Sequence, residues 1–152
     1  ANTLIGGTGN DTLAGGAGSD RLLGGSGSDT YRLARGDGAD TVSDNDATAG
    51  QLDVAQFAAG IAPEQLWFRR LGSHLEVSVI GTDDRLTVEN WYAGPAWHLE
   101  RFQTADNRQL LDSQVDALVQ AMAAFAPPAA GQTTLPPSYQ STLAPLLAAN
   151  WQ

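Results

Sequence analysis

The sequence predicts a mainly all-β fold. A parallel β-roll is expected over residues 1–60, followed by a β-rich capping segment over 61–126 with one helix at about 113–125. A Pro/Ala-rich linker and tail then occupy 127–152. Three observations predict this. A unit of nine residues rich in Gly and Asp recurs in register through the start of the chain. Short runs of alternating apolar and polar residues follow from Leu66. A single apolar period of helical spacing lies beyond them.

The array comes first. Gly6-Gly7-Thr8-Gly9-Asn10-Asp11-Thr12-Leu13-Ala14 is one unit. Gly15 to Leu23 and Gly24 to Arg32 repeat it as G-G-x-G-x-D-x-U-x, with U apolar. Asp therefore recurs at 11, 20 and 29, and U at 13, 22 and 31. Asn2 and Leu4 hold the same two positions one unit earlier, so the array is expected to continue upstream. Glycine permits positive φ and leaves its carbonyl unshielded by any Cβ, so positions 1, 2 and 4 belong to a turn. The last three positions make a short strand whose U side chain points inward. Two units complete one coil, so the turns line up in two columns, odd over odd and even over even. Within a column, the aspartates and bare carbonyls of successive turns face one another. Six or more hard oxygens, mostly neutral carbonyls, suit Ca²⁺ and suit the small, strict octahedron of Mg²⁺ poorly.

A fourth unit is degenerate. After the inserted Leu33-Ala34, Gly36 and Gly38 keep two turn positions, Asp40 keeps the ligand and Val42 keeps U. A fifth, weaker turn reads from "TAGQLD" and ends at Asp53. An acidic Gly-rich linker is the plain alternative, but the fixed Asp and U register opposes it. A phosphate-cradling glycine loop needs a lysine and a following helix. The chain has no lysine, and its eight basic residues are all arginine.

The flank changes character. "LWFRR", "HLEVSVI" and "RLTVEN" read as strands at about 66–70, 75–80 and 85–90, and "HLERFQT" at 98–104 as a fourth. Gly72-Ser73 and the run from Gly81 to Asp84 are the turns between the first three, and Asp83-Asp84 is expected to be solvated. Asp112 or Ser113 is a suitable helix N-cap. Val115, Leu118, Val119, Met122 and Phe125 then form one apolar face before Pro127-Pro128 stops the helix. The tail carries Leu143, Leu146 and Leu147 at helical spacing.

Composition narrows the function. The net charge of −9 opposes nucleic acid, which needs a basic footprint, and favours a cation. Without cysteine there is neither a disulfide framework nor a thiolate metal site. No apolar run is long enough to span a membrane, and no cleavable signal peptide is visible. The charge is uneven: residues 1–53 hold eight aspartates and twelve of the seventeen glycines, whereas all four glutamates, all four tryptophans and every proline lie beyond. His74 and His98 stand alone in "HLE", with no H-E-x-x-H and no G-x-S-x-G in the chain, so no enzyme is expected. Trp67, Trp91, Tyr92 and Trp97 read as core, with a carbohydrate platform as the rival reading.

The three full nonapeptides resemble those of the RTX (repeats-in-toxin) proteins, for which this calcium-binding unit is established. "DTYRLARGDGADTVSD" resembles the family's exit from the array, and "APEQLWFRRLGSHLEVSVIGTDDRLTVENWY" the domain that follows it. The resemblance implies an ion site in which one turn gives the carbonyls of its positions 2 and 4 and its Asp. The facing turn gives carbonyls 1 and 3 and its Asp. Turns one and three would use Gly7, Gly9, Asp11, Gly24, Ser26 and Asp29. Turns two and four would use Gly16, Gly18, Asp20, Arg35, Asp37 and Asp40, with only the carbonyl of Arg35 engaged. A third ion would use Gly25, Gly27, Asp29, Gly50 and Asp53, and a weaker one would join Asn2 to Gly15, Ala17 and Asp20. About two to four Ca²⁺ ions are thus expected as the only cofactor. The resemblance further implies a monomeric, calcium-dependent folding and type I secretion module at the C-terminus of a larger secreted protein. Its partner would be the secretion machinery, and an uncleaved signal would lie within about Ser138–Gln152. A surface-binding module for a receptor or glycan is the alternative; an enzyme domain ranks below both.

Overall fold

The computed structural model of the chain describes residues 1–46, 48 and 50–152. Strands β1 (Thr3–Thr8), β3 (Arg21–Ser26) and β5 (Ala39–Val42) are parallel neighbours in one sheet. Strands β2 (Thr12–Ala14), β4 (Thr30–Leu33) and β6 (Val54–Phe57) are parallel neighbours in a second. The chain changes sheet at every turn. Thr3 pairs with Arg21 and Thr12 with Thr30, a step of 18 residues, or two nonapeptides. Arg21 pairs with Thr41, a step of 20, so the Leu33-Ala34 insertion is absorbed without loss of register. Inward-facing Leu13, Leu22, Tyr31, Val42 and Ala55 are buried between the sheets, as the U positions require.

The flank continues both sheets. β7 (Leu66–Leu71), β8 (His74–Val79) and β9 (Arg85–Val88) form an antiparallel meander close to the expected bounds. β9 then joins β5 in parallel, Thr41 opposite Thr87. β10 (Arg101–Gln103) joins β6 in parallel, Arg101 opposite Val54, and β11 (Gln109–Leu111) closes that sheet antiparallel to β10. The orders are β1-β3-β5-β9-β8-β7 and β11-β10-β6-β4-β2. The flank therefore supplies one more coil of the winding as well as a lid. The loops between its strands hide this coil from any period of nine.

Helix α1 (Asp112–Met122) buries Val115, Leu118 and Met122. Its N-cap is Leu111, not Asp112 or Ser113. Gln114 Oε1 reaches back to accept from the Leu111 N–H, while Asp112 Oδ1 takes the adjacent Ser113 N–H. The expectation of a single helix fails. A second, α2 (Pro137–Asn150), starts at a proline whose missing N–H costs nothing there, and it buries Leu143 and Leu147. Gln152 pairs with Gln109 through both backbone bonds, adding the last residue to the β11 edge. One apolar cluster runs from Leu13 to Trp151. It is thinner under the repeats, where β2, β3 and β5 bury one apolar side chain each and β4 and β6 two, and thick under the flank, where Phe68 meets Phe102 edge-on at 5.6 Å. Trp67 and Trp91 lie in this cluster, which favours the core reading over the platform. His98 stacks on Trp91 at 3.9 Å, and His74 Nδ1 accepts from the Asn90 N–H, so both histidines serve packing.

Candidate metal centre

Parallel stacking at fixed register brings the aspartates into two columns. In one, Asp29 Oδ1 accepts from the Asp11 N–H at 2.8 Å, and Asp53 Oδ1 accepts from the Asp29 N–H at 2.8 Å. In the other, Asp20 Oδ1 accepts from the Asn2 N–H, and Asp40 Oδ1 from the Asp20 N–H at 3.0 Å. Asp20, Asp29, Asp40 and Asp53 thus each spend one oxygen on the coil before. In Asp20, Asp29 and Asp40 the second oxygen is left over: among the described residues their Oδ2 atoms, and Asp11 Oδ2, are buried with no hydrogen-bond partner. An unpaired carboxylate oxygen out of water is costly, so each needs a counter-charge or a proton. Burial accordingly pushes Asp40 up to about 6 and raises Asp29, Asp53 and Glu100 above their ordinary values.

The glycines build the cradle in two ways. Positions 2 and 4 of turn one have φ of 105° at Gly7 and 106° at Gly9, where an L side chain is strained. Position 1 has no such φ; it is glycine for lack of room. A Cβ on Gly6 would stand 2.6 Å from Asp11 Oδ2 and 2.6 Å from the Gly24 carbonyl oxygen. Those two oxygens therefore converge on one small space beside a bare Cα. Gly25 stacks closely on the Gly7 carbonyl, Gly27 on that of Gly9, and Gly38 on that of Gly18. Gly9 N–H donates to Ser26 O and Gly18 N–H to Asp37 O, each at 2.8 Å. The residues read for turns one and three are thus assembled face to face. Turns two and four join through Gly18, Asp20, Asp37 and Asp40. The Asp37 carboxylate takes the Ala34 N–H, and the Arg35 side chain turns away to Gly60 O. An all-oxygen set with unspent carboxylate oxygens fits a hard cation of the Ca²⁺ kind.

The fifth turn is built differently. Asp53 is in line with Asp29, and Ala49 lies outside the described residues. The Gly27 N–H is taken by Asp46 Oδ2 at 3.3 Å and Gln51 Oε1 at 3.2 Å. Two further carboxylates close the columns from the flank. Glu100 Oε2 accepts from the Asp53 N–H at 2.7 Å, as the next Asp of the column would. Asp84 accepts from the Gly36 and Gly38 N–H groups, each at 2.9 Å. Asp84 is buried, so the solvated turn expected for it is incorrect. Glu100 was legible in principle: Glu100-Arg101-Phe102 repeats the carboxylate-x-apolar spacing of Asp11-Thr12-Leu13 and Asp29-Thr30-Tyr31.

Comparison with known families agrees with this geometry. A family model for the RTX calcium-binding nonapeptide repeat, in four copies, matches residues 1–31. A second, for the haemolysin-type calcium binding protein related domain, matches residues 74–114, the stretch that carries β8 to β11. The stacked turns, their unspent carboxylate oxygens and these two matches lead to one conclusion: the chain carries an RTX-family block of calcium-binding nonapeptide repeats.

Proposed function

We propose that the chain is a calcium-dependent folding and secretion module at the C-terminal end of a larger secreted protein. Its array is a parallel β-roll over about 1–60, capped by 61–126, with an export signal in the tail. The observation that carries this reading is the row of buried Oδ2 atoms without partners. Ordering each residue costs about 1–2 kcal/mol of backbone entropy, and one apolar side chain per nine residues returns little. Stacked carboxylates add repulsion. Without a cation the array is therefore unfolded, and ion binding supplies its folding free energy. Extracellular calcium modules bind at about 10⁻⁴–10⁻³ M. A chain with such sites stays unfolded in a low-calcium cytosol, threads through a type I channel and folds outside. No helix among the described residues is long and apolar enough to cross a membrane. The calcium-turn residues are those set out above, two turns to an ion.

Far-ultraviolet circular dichroism of the whole chain tests this. Calcium at millimolar order is expected to convert a largely disordered chain into β structure. Magnesium at the same concentration is expected not to. Equal folding in both metals, or full folding in neither, contradicts the reading.

A further inference from the structure

Asp44 lies outside every nonapeptide, in the loop after β5, yet its side chain is 1% exposed. It sits against Asp29 and Asp53, which are 0% and 2% exposed, and one carboxylate oxygen from each of the three lies within 4.8 Å of the other two. Ligand oxygens around a Ca²⁺ ion stand about 2.3–2.6 Å from it, hence up to about 5 Å apart. Asp29 spends Oδ1 on Asp11, Asp53 spends Oδ1 on Asp29, and Asp44 Oδ2 accepts from the Tyr31 hydroxyl at 2.8 Å. That hydroxyl in turn accepts from the Gly24 N–H at 3.0 Å, which fixes the direction of its proton. Among the described residues, Asp29 Oδ2 and Asp44 Oδ1 are left buried without partners. Among the described residues no arginine or histidine forms an ion pair with any of the three. Burial, with repulsion from Asp53, pushes Asp44 up to about 7.

We propose that Asp29, Asp44 and Asp53 form a separate Ca²⁺ site at the junction of array and flank. In this site Asp44 stands in for the carbonyls that a full fifth repeat would present. The inference rests on the calcium reading of the turn columns and adds a ligand that the nonapeptide pattern does not contain. At this junction the Gly27 N–H donates to the side chains of Asp46 and Gln51, whereas the Gly9 and Gly18 N–H groups donate to a carbonyl of the next turn. Three carboxylates in place of two make this the tightest site, because calcium affinity rises with ligand charge. It is also the site that reaches the flank, since the Asp53 N–H donates to Glu100. The first ion bound therefore joins the last repeat to its cap, and Asp29 passes the ordering on to turn one.

Isothermal titration of the whole chain with calcium at pH 7.5 tests the proposal. One tight ion is expected, then weaker ones. Asp44→Asn keeps the size of the side chain and an oxygen for Tyr31. It is expected to remove one ion from the stoichiometry and to weaken the first binding step by at least about tenfold, the scale on which even outer partners of a ligand act. The weaker class should remain. Unchanged stoichiometry and first-step affinity would overturn the site and leave the cluster as hydrogen-bonded carboxyl groups; the turn sites would stand. A chain that binds no calcium at all would overturn both readings. Should that variant not fold, Tb³⁺ in place of Ca²⁺ decides, with the unaltered chain compared with Tyr31→Phe. The first equivalent is expected to show sensitised emission that drops in Tyr31→Phe. Emission independent of Tyr31 would overturn the assignment.

Discussion

At the scale of single residues, the Asp carboxylate and the glycine five positions before it act as one device. Asp11 Oδ2 occupies the space that a Cβ on Gly6 would need. Gly6→Ala is therefore expected to push the ligand oxygen out of place and raise the calcium midpoint of folding several-fold. Thr8→Ala, at an exposed position of the same turn, should leave it unchanged. Equal midpoints for the two variants, followed by circular dichroism, would sink the steric account of position 1. The carboxylates also fix the response to pH. Burial first, then neighbouring aspartates, hold Asp40 near 6 and Asp44 near 7 against an ordinary value of 3.8. A raised carboxyl pKa in the fold contributes stability that is full below the ordinary 3.8, falls as pH rises from there, and is gone above about 6 for Asp40 and about 7 for Asp44. The metal-free chain should thus be more ordered at pH 5 than at pH 8. Calcium binds the ionised form, so wherever the metal-free fold is populated the calcium midpoint should rise as pH falls from 7.5 to 5.5. Titrations at the two pH values check both signs, and a midpoint indifferent to pH would contradict them.

At the scale of elements, each turn column ends in a borrowed carboxylate. Asp84, from the β8–β9 turn, holds two N–H groups of turn four, and Glu100, before β10, holds the N–H of Asp53. A buried N–H left without a partner costs about 1–3 kcal/mol. Gly36 is exposed and Gly38 and Asp53 are not, so Asp84→Ala and Glu100→Ala should each destabilise the calcium-loaded chain by roughly 1–3 kcal/mol. Thermal or urea unfolding in saturating calcium measures both; losses under about 0.5 kcal/mol, the level of ordinary surface substitutions, would contradict the capping role. The array was readable because its period is strict: Asp11, Asp20 and Asp29 declare turns and ligands together. The caps were not. Thr30 pairs with Val54, a step of 24 residues, and Val54 with Arg101, a step of 47, so loops interrupt the period before Glu100 arrives. Asp84 looked like a hairpin turn because "GTDD" is one; only its neighbours in space show what its oxygens hold. Asp44 was hidden for the same reason, since nothing local marks an aspartate that a distant column will bury.

At the scale of the whole molecule, the array and its flank are one winding with one core. The repeats contribute a thin row of U residues, and the flank contributes Phe68, Trp91, Phe102 and the two helices. The tail belongs to this core: Leu143, Leu147 and Trp151 are buried, and Trp151 lies 6.3 Å from Phe68 between ring centres. The last coil of the array is closed by β9 and β10 alone, so residues 1–60 without them end in two open sheet edges. Folding should then start in the flank, take its first ion at the junction and spread toward Thr3. The most direct measurement compares the whole chain with residues 1–60 by circular dichroism across a calcium titration. The account predicts that the whole chain folds at millimolar-order calcium while residues 1–60 stay disordered. A truncated array that folds at the same calcium concentration as the whole chain would contradict it.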